Sequence, residues 1–417
     1  MFIHKKTRYL KTFITLFFIF SLLTSCCKDP YDNSIDNTQT QQTQVEKEDN
    51  SPTLKTIFVY MPWTASKSND NNSLHDDFIR NLEDIEEAIV TEGGLKQTRV
   101  LVFIDSLAPK NAELFEIKYK NNACYHKSIK KYNTSRSPFY TKTQGLTSLL
   151  QEIKNIAPAS IYSMIIGSHG VGWLPANYRA KPKTRFFGGT TLEYQTDIST
   201  LTQSIKNANM QMQYIMFDDC YMSTIEVAYD LREVTHYLIG CTSEIMAYGM
   251  PYSKMWKELS SISPNYQQIT DDFYNFYSNY NSPDYNCGAI GITDCTKTQE
   301  MATLMKEING RYKMDENKID DVQKLDGYAP TIFYDMGDYV DKLCQDKALY
   351  QQFRNLLYQL TPYHAATQRI YSSMNYLSNP YIHIQNFSGI TISDLTESNI
   401  YNAKTHKQYT NWWRATH

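Results

Sequence analysis

The chain has 417 residues, enough for one large domain or two ordinary ones, and its 41% hydrophobic and 20% charged residues are an ordinary globular balance. A formal net charge of -3 excludes an overall basic chain, the usual footprint of a nucleic-acid binder. Tyrosine is abundant, at 33 residues, which fits either a contact surface or plain compositional bias.

Lys5, Lys6, Arg8 and Lys11 lead into an apolar run from Phe13 to Leu23. That run is shorter than the roughly 20 apolar residues a membrane-spanning helix needs, so residues 1–25 read as a secretory signal. It closes on Leu22-Leu23-Thr24-Ser25-Cys26, which resembles the lipobox of bacterial lipoproteins. The resemblance implies lipidation at Cys26, export, and a lipid anchor in the bacterial cell envelope, expected at the outer membrane. Several acyl chains would hold stably where one binds only marginally. Residues 26–53 are polar and acidic, too poor in apolar side chains to fold, and read as a flexible tether.

Ordered structure is expected from the strand Thr56 to Tyr60. A helix follows on the spacing of Phe78, Ile79, Leu82, Ile85 and Ile89, with Gly93 and Gly94 to stop it. Arg99 to Ile104 reads as a buried strand, and Leu146, Leu149, Leu150 and Ile153 as a helical stripe. Ile161 to Ile166 is a strand, Ile198 to Ile205 a helix, Tyr214 to Phe217 a strand, Met222 to Arg232 a helix, and Tyr237 to Gly240 a strand. Apolar strands separated by amphipathic helices predict an α/β sandwich with a largely parallel sheet. Past residue 296 the stripes Met301–Met305–Ile308 and Met336–Val340–Leu343 turn the pattern helical, with a returning strand at 389–392. The expected organisation is a catalytic-type α/β domain over 54–295 and a mainly helical region over 296–417 packed on it. The eight cysteines contain no C-x-x-C pair; export would permit disulfides, and the pattern does not fix any.

Two segments follow apolar strands directly, where open parallel sheets bind ligands. One is Gly167-Ser168-His169-Gly170-Val171-Gly172-Trp173; the other is Phe217-Asp218-Asp219-Cys220-Tyr221-Met222. Cys220, between a strand and a helix, is expected near a helix N-terminus, which would favour its thiolate. Alone it could equally be a buried structural cysteine. His169 lies among small residues at a strand end, open to a substrate, though a core or metal-ligand histidine has the same local pattern. Gly170 can present its N–H as an oxyanion donor. A phosphate cradle is the weaker reading, since the spacing is G-x-x-G-x-G with no Lys-Ser/Thr after it. Neighbouring ends of parallel strands would bring His169 and Cys220 together as base and nucleophile.

These segments, with Glu226-Val227-Ala228-Tyr229, Ser243-Glu244 and Gly249-Met250-Pro251-Tyr252, resemble the clostripain family of cysteine peptidases, distant relatives of caspases. The resemblance implies a caspase-like sandwich and a Cys220–His169 dyad. It implies an oxyanion site at the N–H groups of Gly170 and Cys220, and cleavage after Arg or Lys with Asp218 in the specificity pocket. It also implies self-processing after Arg179, Lys183 or Arg185, Lys181 being disfavoured by the following proline. Its substrates would be proteins or peptides with exposed Arg or Lys, with no role for nucleic acid. No cofactor is required by the sequence; calcium is admitted by the family, although no calcium loop stands out. The chain departs from the family at Asp219, where a small residue is common, and at Tyr221 and Ser223. A carboxylate facing Cys220 would disfavour the thiolate, so Asp219 either slows the chemistry or points away. The competing reading is a surface lipoprotein that keeps the scaffold for binding and has lost catalysis. A caspase relative with acidic specificity is opposed by Asp218.

Overall fold

The fold grows from strands buried on both faces. In β1 (Lys55–Met61), Ile57, Val59 and Met61 enter one core while Phe58 and Tyr60 enter another, as the period of two demands. Helix α1 (His75–Thr91) lays Phe78, Leu82, Ile85, Ala88 and Ile89 on the first of these cores. Asp76 and Asp77 in its first turn complement the positive helix end. The helix stops where Gly93 and Gly94 take positive φ and their N–H groups bond back to Val90 and Ile89.

Then come β2 (Thr98–Asp105), β3 (Asn111–Lys120), β4 (Ala123–Asn133), α2 (Thr143–Ile156), β5 (Ile161–Gly167), β6 (His169–Gly170), β7 (Phe186–Gly188), β8 (Gln195–Asp197), α3 (Ile198–Asn207), β9 (Met212–Asp218), α4 (Ile225–Leu231), β10 (Thr235–Cys241), α5 (Tyr252–Ser260), α6 (Tyr266–Ser278) and β11 (Ala289–Asp294). The remainder is α7 (Thr298–Arg311), β12 (Phe333–Asp335), α8 (Met336–Leu343), α9 (Lys347–Leu360), β13 (Tyr363–Ala366), β14 (Arg369–Tyr371), β15 (Tyr381–His383), β16 (Thr391–Ser393) and α10 (Asn411–Thr416). This computed structural model describes residues 53–65, 73–105, 111–133, 138–174, 186–375, 379–394 and 406–417. Cys26, the leader, the tether up to residue 52, and Arg179, Lys183 and Arg185 lie outside the described residues.

The central sheet has nine strands in the order β13-β11-β10-β9-β5-β1-β2-β3-β4. Strands β2, β1, β5, β9 and β10 run parallel, and antiparallel strands extend both margins. The expected largely parallel sandwich is therefore correct, with antiparallel wings that the patterning did not foresee. One wing is the β3–β4 hairpin, closed by Asn121 and Asn122 at φ 53° and 58°, the left-handed pair that matches the twist of flanking strands. One face of the sheet carries α1, α5 and α6. The other carries α2, α3, α4, α7, α8, α9 and α10.

Beyond residue 296, short strands join the predicted helices. β13 adds to the central sheet through β11, and the strand expected at 389–392 is β16, which pairs with β12 instead. Asp49–His417 forms one compact unit. Its layout positions the site because the chain leaves β1 for β2 on one side and resumes with β5 on the other. The carboxyl ends of β1, β5 and β9 thus meet at a switch point, where such sheets bind ligands.

Candidate active site

Gly167, the last residue of β5, pairs in register with Asp218, the last residue of β9. The two segments singled out in the sequence leave the sheet side by side from that pair. His169 and Gly170 form β6, held by β7 in the pairs His169–Gly188 and Gly170–Phe187. A Cβ on Gly170 would fall 2.4 Å from the Cys220 carbonyl oxygen and 2.7 Å from the Asp219 Cβ. Only glycine lets the histidine strand lie this close to the cysteine loop. Gly172 repeats the device two residues on, at φ 61°, with the Tyr221 carbonyl oxygen 2.8 Å from where its Cβ would be. On the other side of His169 stands Trp63, fully buried just past β1, with ring centroids 5.1 Å apart.

The cysteine loop hangs from the end of β10: Tyr221 N–H donates to the Ser243 carbonyl and Ser223 N–H to the Cys241 carbonyl. Its far side rests on β16, through Thr391 N–H to the Ser223 carbonyl. Tyr221 adopts φ 60°, a backbone state that costs a non-glycine residue on the order of 1 kcal/mol. Its hydroxyl donates to Glu244 Oε1 at 2.8 Å and its ring stacks on Phe333, so side-chain anchoring offsets the strain. Glu244 Oε1 also accepts from the Ser372 hydroxyl and the Ser373 N–H, both at 2.9 Å.

Cys220 is partly exposed. It does not lie at a helix N-terminus as expected: α4 begins only at Ile225, with Thr224 as its N-cap accepting from Val227 N–H. Instead burial first, then the Glu244 carboxylate, with lesser contributions from Asp219 and Asp218, pushes the thiol up to about 12 against the opposing Ile245 N–H. All six cysteines among the described residues are free thiols.

Asp218 is 5% exposed. Its Oδ1 accepts from Met250 N–H at 2.8 Å, and its Oδ2 accepts from Asn81 Nδ2 at 3.1 Å and from the Tyr252 hydroxyl at 2.9 Å. Burial outweighs these bonds and raises its carboxyl to about 7. Gly249, at φ 79°, brings the 246–250 turn onto this carboxylate, where a Cβ would sit 2.8 Å from both oxygens. Asp219 is turned to Ser168, whose N–H and hydroxyl donate to its two oxygens. Burial, with the neighbouring Asp218 charge, holds its carboxyl far above the usual range.

Sequence reading gave no role to Trp63, Asn81, Ser168 or Tyr252. Trp63 follows the strand next to β5, and Asn81 is the one polar residue in the buried stripe of α1; both signals were present. Tyr252 belonged to a recognised motif. Among the described residues no group of three or more His, Cys, Asp or Glu is placed to hold a metal ion.

A caspase-like α/β sandwich with cysteine and histidine segments leaving adjacent parallel strands defines a cysteine peptidase, a hydrolase. The chain belongs to the clostripain family: the Peptidase C11 model, clostripain family, matches residues 67–412. It is similar to the X-ray structure of a secreted C11 cysteine protease from Bacteroides thetaiotaomicron, "iotapain", at 42% identity and TM-score 0.77, over 88% of this chain and 99% of that one. It also resembles a clostripain from Bacteroides thetaiotaomicron ATCC 29148 in complex with the peptide inhibitor BTN-VLTK-AOMK, at 48% identity and TM-score 0.51, over 55% of this chain and 99% of that one. An inactive zymogen C11 protease from Parabacteroides distasonis shares the fold at 22% identity and TM-score 0.73, over 87% and 98%. No curated protein matches the chain.

Proposed function

We propose that this peptidase cleaves after Arg or Lys through Cys220 and His169. In this reading the Cys220 sulfur attacks the carbonyl carbon as its proton passes to His169, and a C–S bond forms. The N–H groups of Gly170 and Cys220 receive the oxyanion. His169 returns the proton to the leaving amine as the C–N bond breaks, and water then hydrolyses the thioester. The observation that carries the specificity is Asp218, a buried carboxylate two residues before the nucleophile, fixed by Asn81, Met250 and Tyr252. A substrate guanidinium or ammonium beside it would make a charge-assisted bond and favour its ionised form. The inhibitor bound by the 48% identical relative, BTN-VLTK-AOMK, carries lysine last, which agrees.

Self-cleavage after Arg179, Lys183 or Arg185, and anchoring of the exported protein in the cell envelope through Cys26, complete the proposal. A second reading, a scaffold that binds without catalysis, draws on the carboxyl of Asp219 standing next to Cys220 in the chain. A peptidyl acyloxymethyl ketone ending in Lys separates the two. Covalent capture at Cys220, located by mass spectrometry and absent in His169→Ala, supports the peptidase; an unlabelled, folded protein supports the scaffold.

A further inference from the structure

Asp219 stands where a small residue would leave the cysteine loop free of any side-chain tie to the histidine strand. Here its Oδ1 accepts the Ser168 N–H at 2.6 Å and its Oδ2 accepts the Ser168 hydroxyl at 3.0 Å. Both residues are buried, Asp219 at 1% exposure and Ser168 at 5%, so water does not compete for these bonds. Ser168 immediately precedes His169, and Asp219 immediately precedes Cys220. The contact therefore joins the two reacting residues through their nearest chain neighbours. It lies one step past the Gly167–Asp218 pair, where the sheet's own hydrogen bonding between β5 and β9 ends. Gly170 closes the same contact from the other side, against the Cys220 carbonyl and the Asp219 Cβ.

We infer that Asp219 is a positioning residue: its two hydrogen bonds to Ser168 latch the histidine strand to the cysteine loop and set the His169–Cys220 register. The inference rests on the dyad proposed above. The carboxylate faces Ser168 and is spent on it; its use is geometric. Base and nucleophile must be aligned closely for proton transfer and attack to coincide, and a displacement of about 1 Å can cost on the order of 100-fold in rate.

The test uses the full chain and three variants, with folding checked by thermal melting and an Arg or Lys peptide as substrate. Asp219→Asn keeps an acceptor for the Ser168 N–H and removes the ionisable group; it should stay within about threefold of wild type in kcat. Asp219→Ala removes the latch and should lose roughly 10- to 100-fold in kcat with KM within about twofold, since the substrate pocket is untouched. Ser168→Ala removes one of the two bonds and should show a smaller kcat loss that disappears in the Asp219→Ala background, the non-additivity of one shared contact. If Asp219→Ala does not fold, Ser168→Ala decides alone: a kcat loss with KM unchanged supports the latch, and wild-type kcat overturns it. An active wild type matched in kcat by Asp219→Ala, or additive effects of the two alanine variants, overturns the latch alone. A wild type that turns over no Arg or Lys peptide overturns the dyad reading, and the latch falls with it.

Discussion

The Tyr252 hydroxyl donates to Asp218 Oδ2 at 2.9 Å, from the first residue of α5 to the last of β9. It acts with Asn81 and the Met250 N–H, so three elements converge on one carboxylate. Burial raises that carboxyl to about 7 against an ordinary 3.8. Between about pH 4 and pH 7 the unfolded chain gives up this proton while the folded one keeps it, so stability should fall across that window and level off above it. Asp218→Asn should lack this fall in pH-dependent melting. Under the proposed specificity activity should run the opposite way, because a substrate cation beside Asp218 needs the ionised form. Turnover of Arg peptides should rise through about pH 7, and Asp218→Asn should lower kcat/KM for them roughly 10- to 100-fold, the worth of a charged hydrogen bond.

After burial, the Glu244 carboxylate does most to push the Cys220 thiol up to about 12. Alkylation of unliganded wild type by iodoacetamide should climb steadily from pH 7 to pH 10. Glu244→Gln should raise the rate at pH 8 several-fold, because reactivity follows the thiolate fraction. A plateau reached near pH 7 in wild type would contradict this account of the site.

Two glycines give opposite expectations for stability. Gly172 sits at φ 61° with the Tyr221 carbonyl 2.8 Å from a would-be Cβ, so Gly172→Ala should cost at least ~1–2 kcal/mol. Gly310 lies in α7 with nothing within 4 Å of a would-be Cβ, so Gly310→Ala should be neutral or stabilising by up to ~1 kcal/mol. Thermal melting of both variants checks the pair.

Self-processing makes a prediction about mass. Purified wild type should separate into two fragments divided after Arg179, Lys183 or Arg185, while Cys220→Ala stays whole. Identical single chains for both proteins would remove this part of the proposal.

The parallel centre of the sheet was legible because β1, β2, β5, β9 and β10 are mostly buried and so read as largely apolar runs. The wings were not. β4 is exposed along most of its length and carries Lys127, Lys130 and Lys131, so it leaves no apolar signature; the Asn121-Asn122 turn was its one local mark. At the site, the neighbouring strand ends that carry His169 and Cys220 could be anticipated, since successive parallel strands joined by one crossover are usually adjacent. The partners of the two aspartates could not. Asn81 lies 137 positions from Asp218, and Ser168 lies 51 from Asp219; only the folded sheet brings them into contact. The expected helix N-terminus at Cys220 failed for a local reason, because four residues of loop separate Asp219 from Thr224 and α4 starts only after them.

The most direct test of the central claim is cleavage of fluorogenic peptides ending in Arg, Lys, Asp or Ala by wild type and Cys220→Ala. The account predicts turnover confined to Arg and Lys in wild type and none in the variant. Turnover that survives in Cys220→Ala, or a folded wild type that cleaves none of the four, would contradict it.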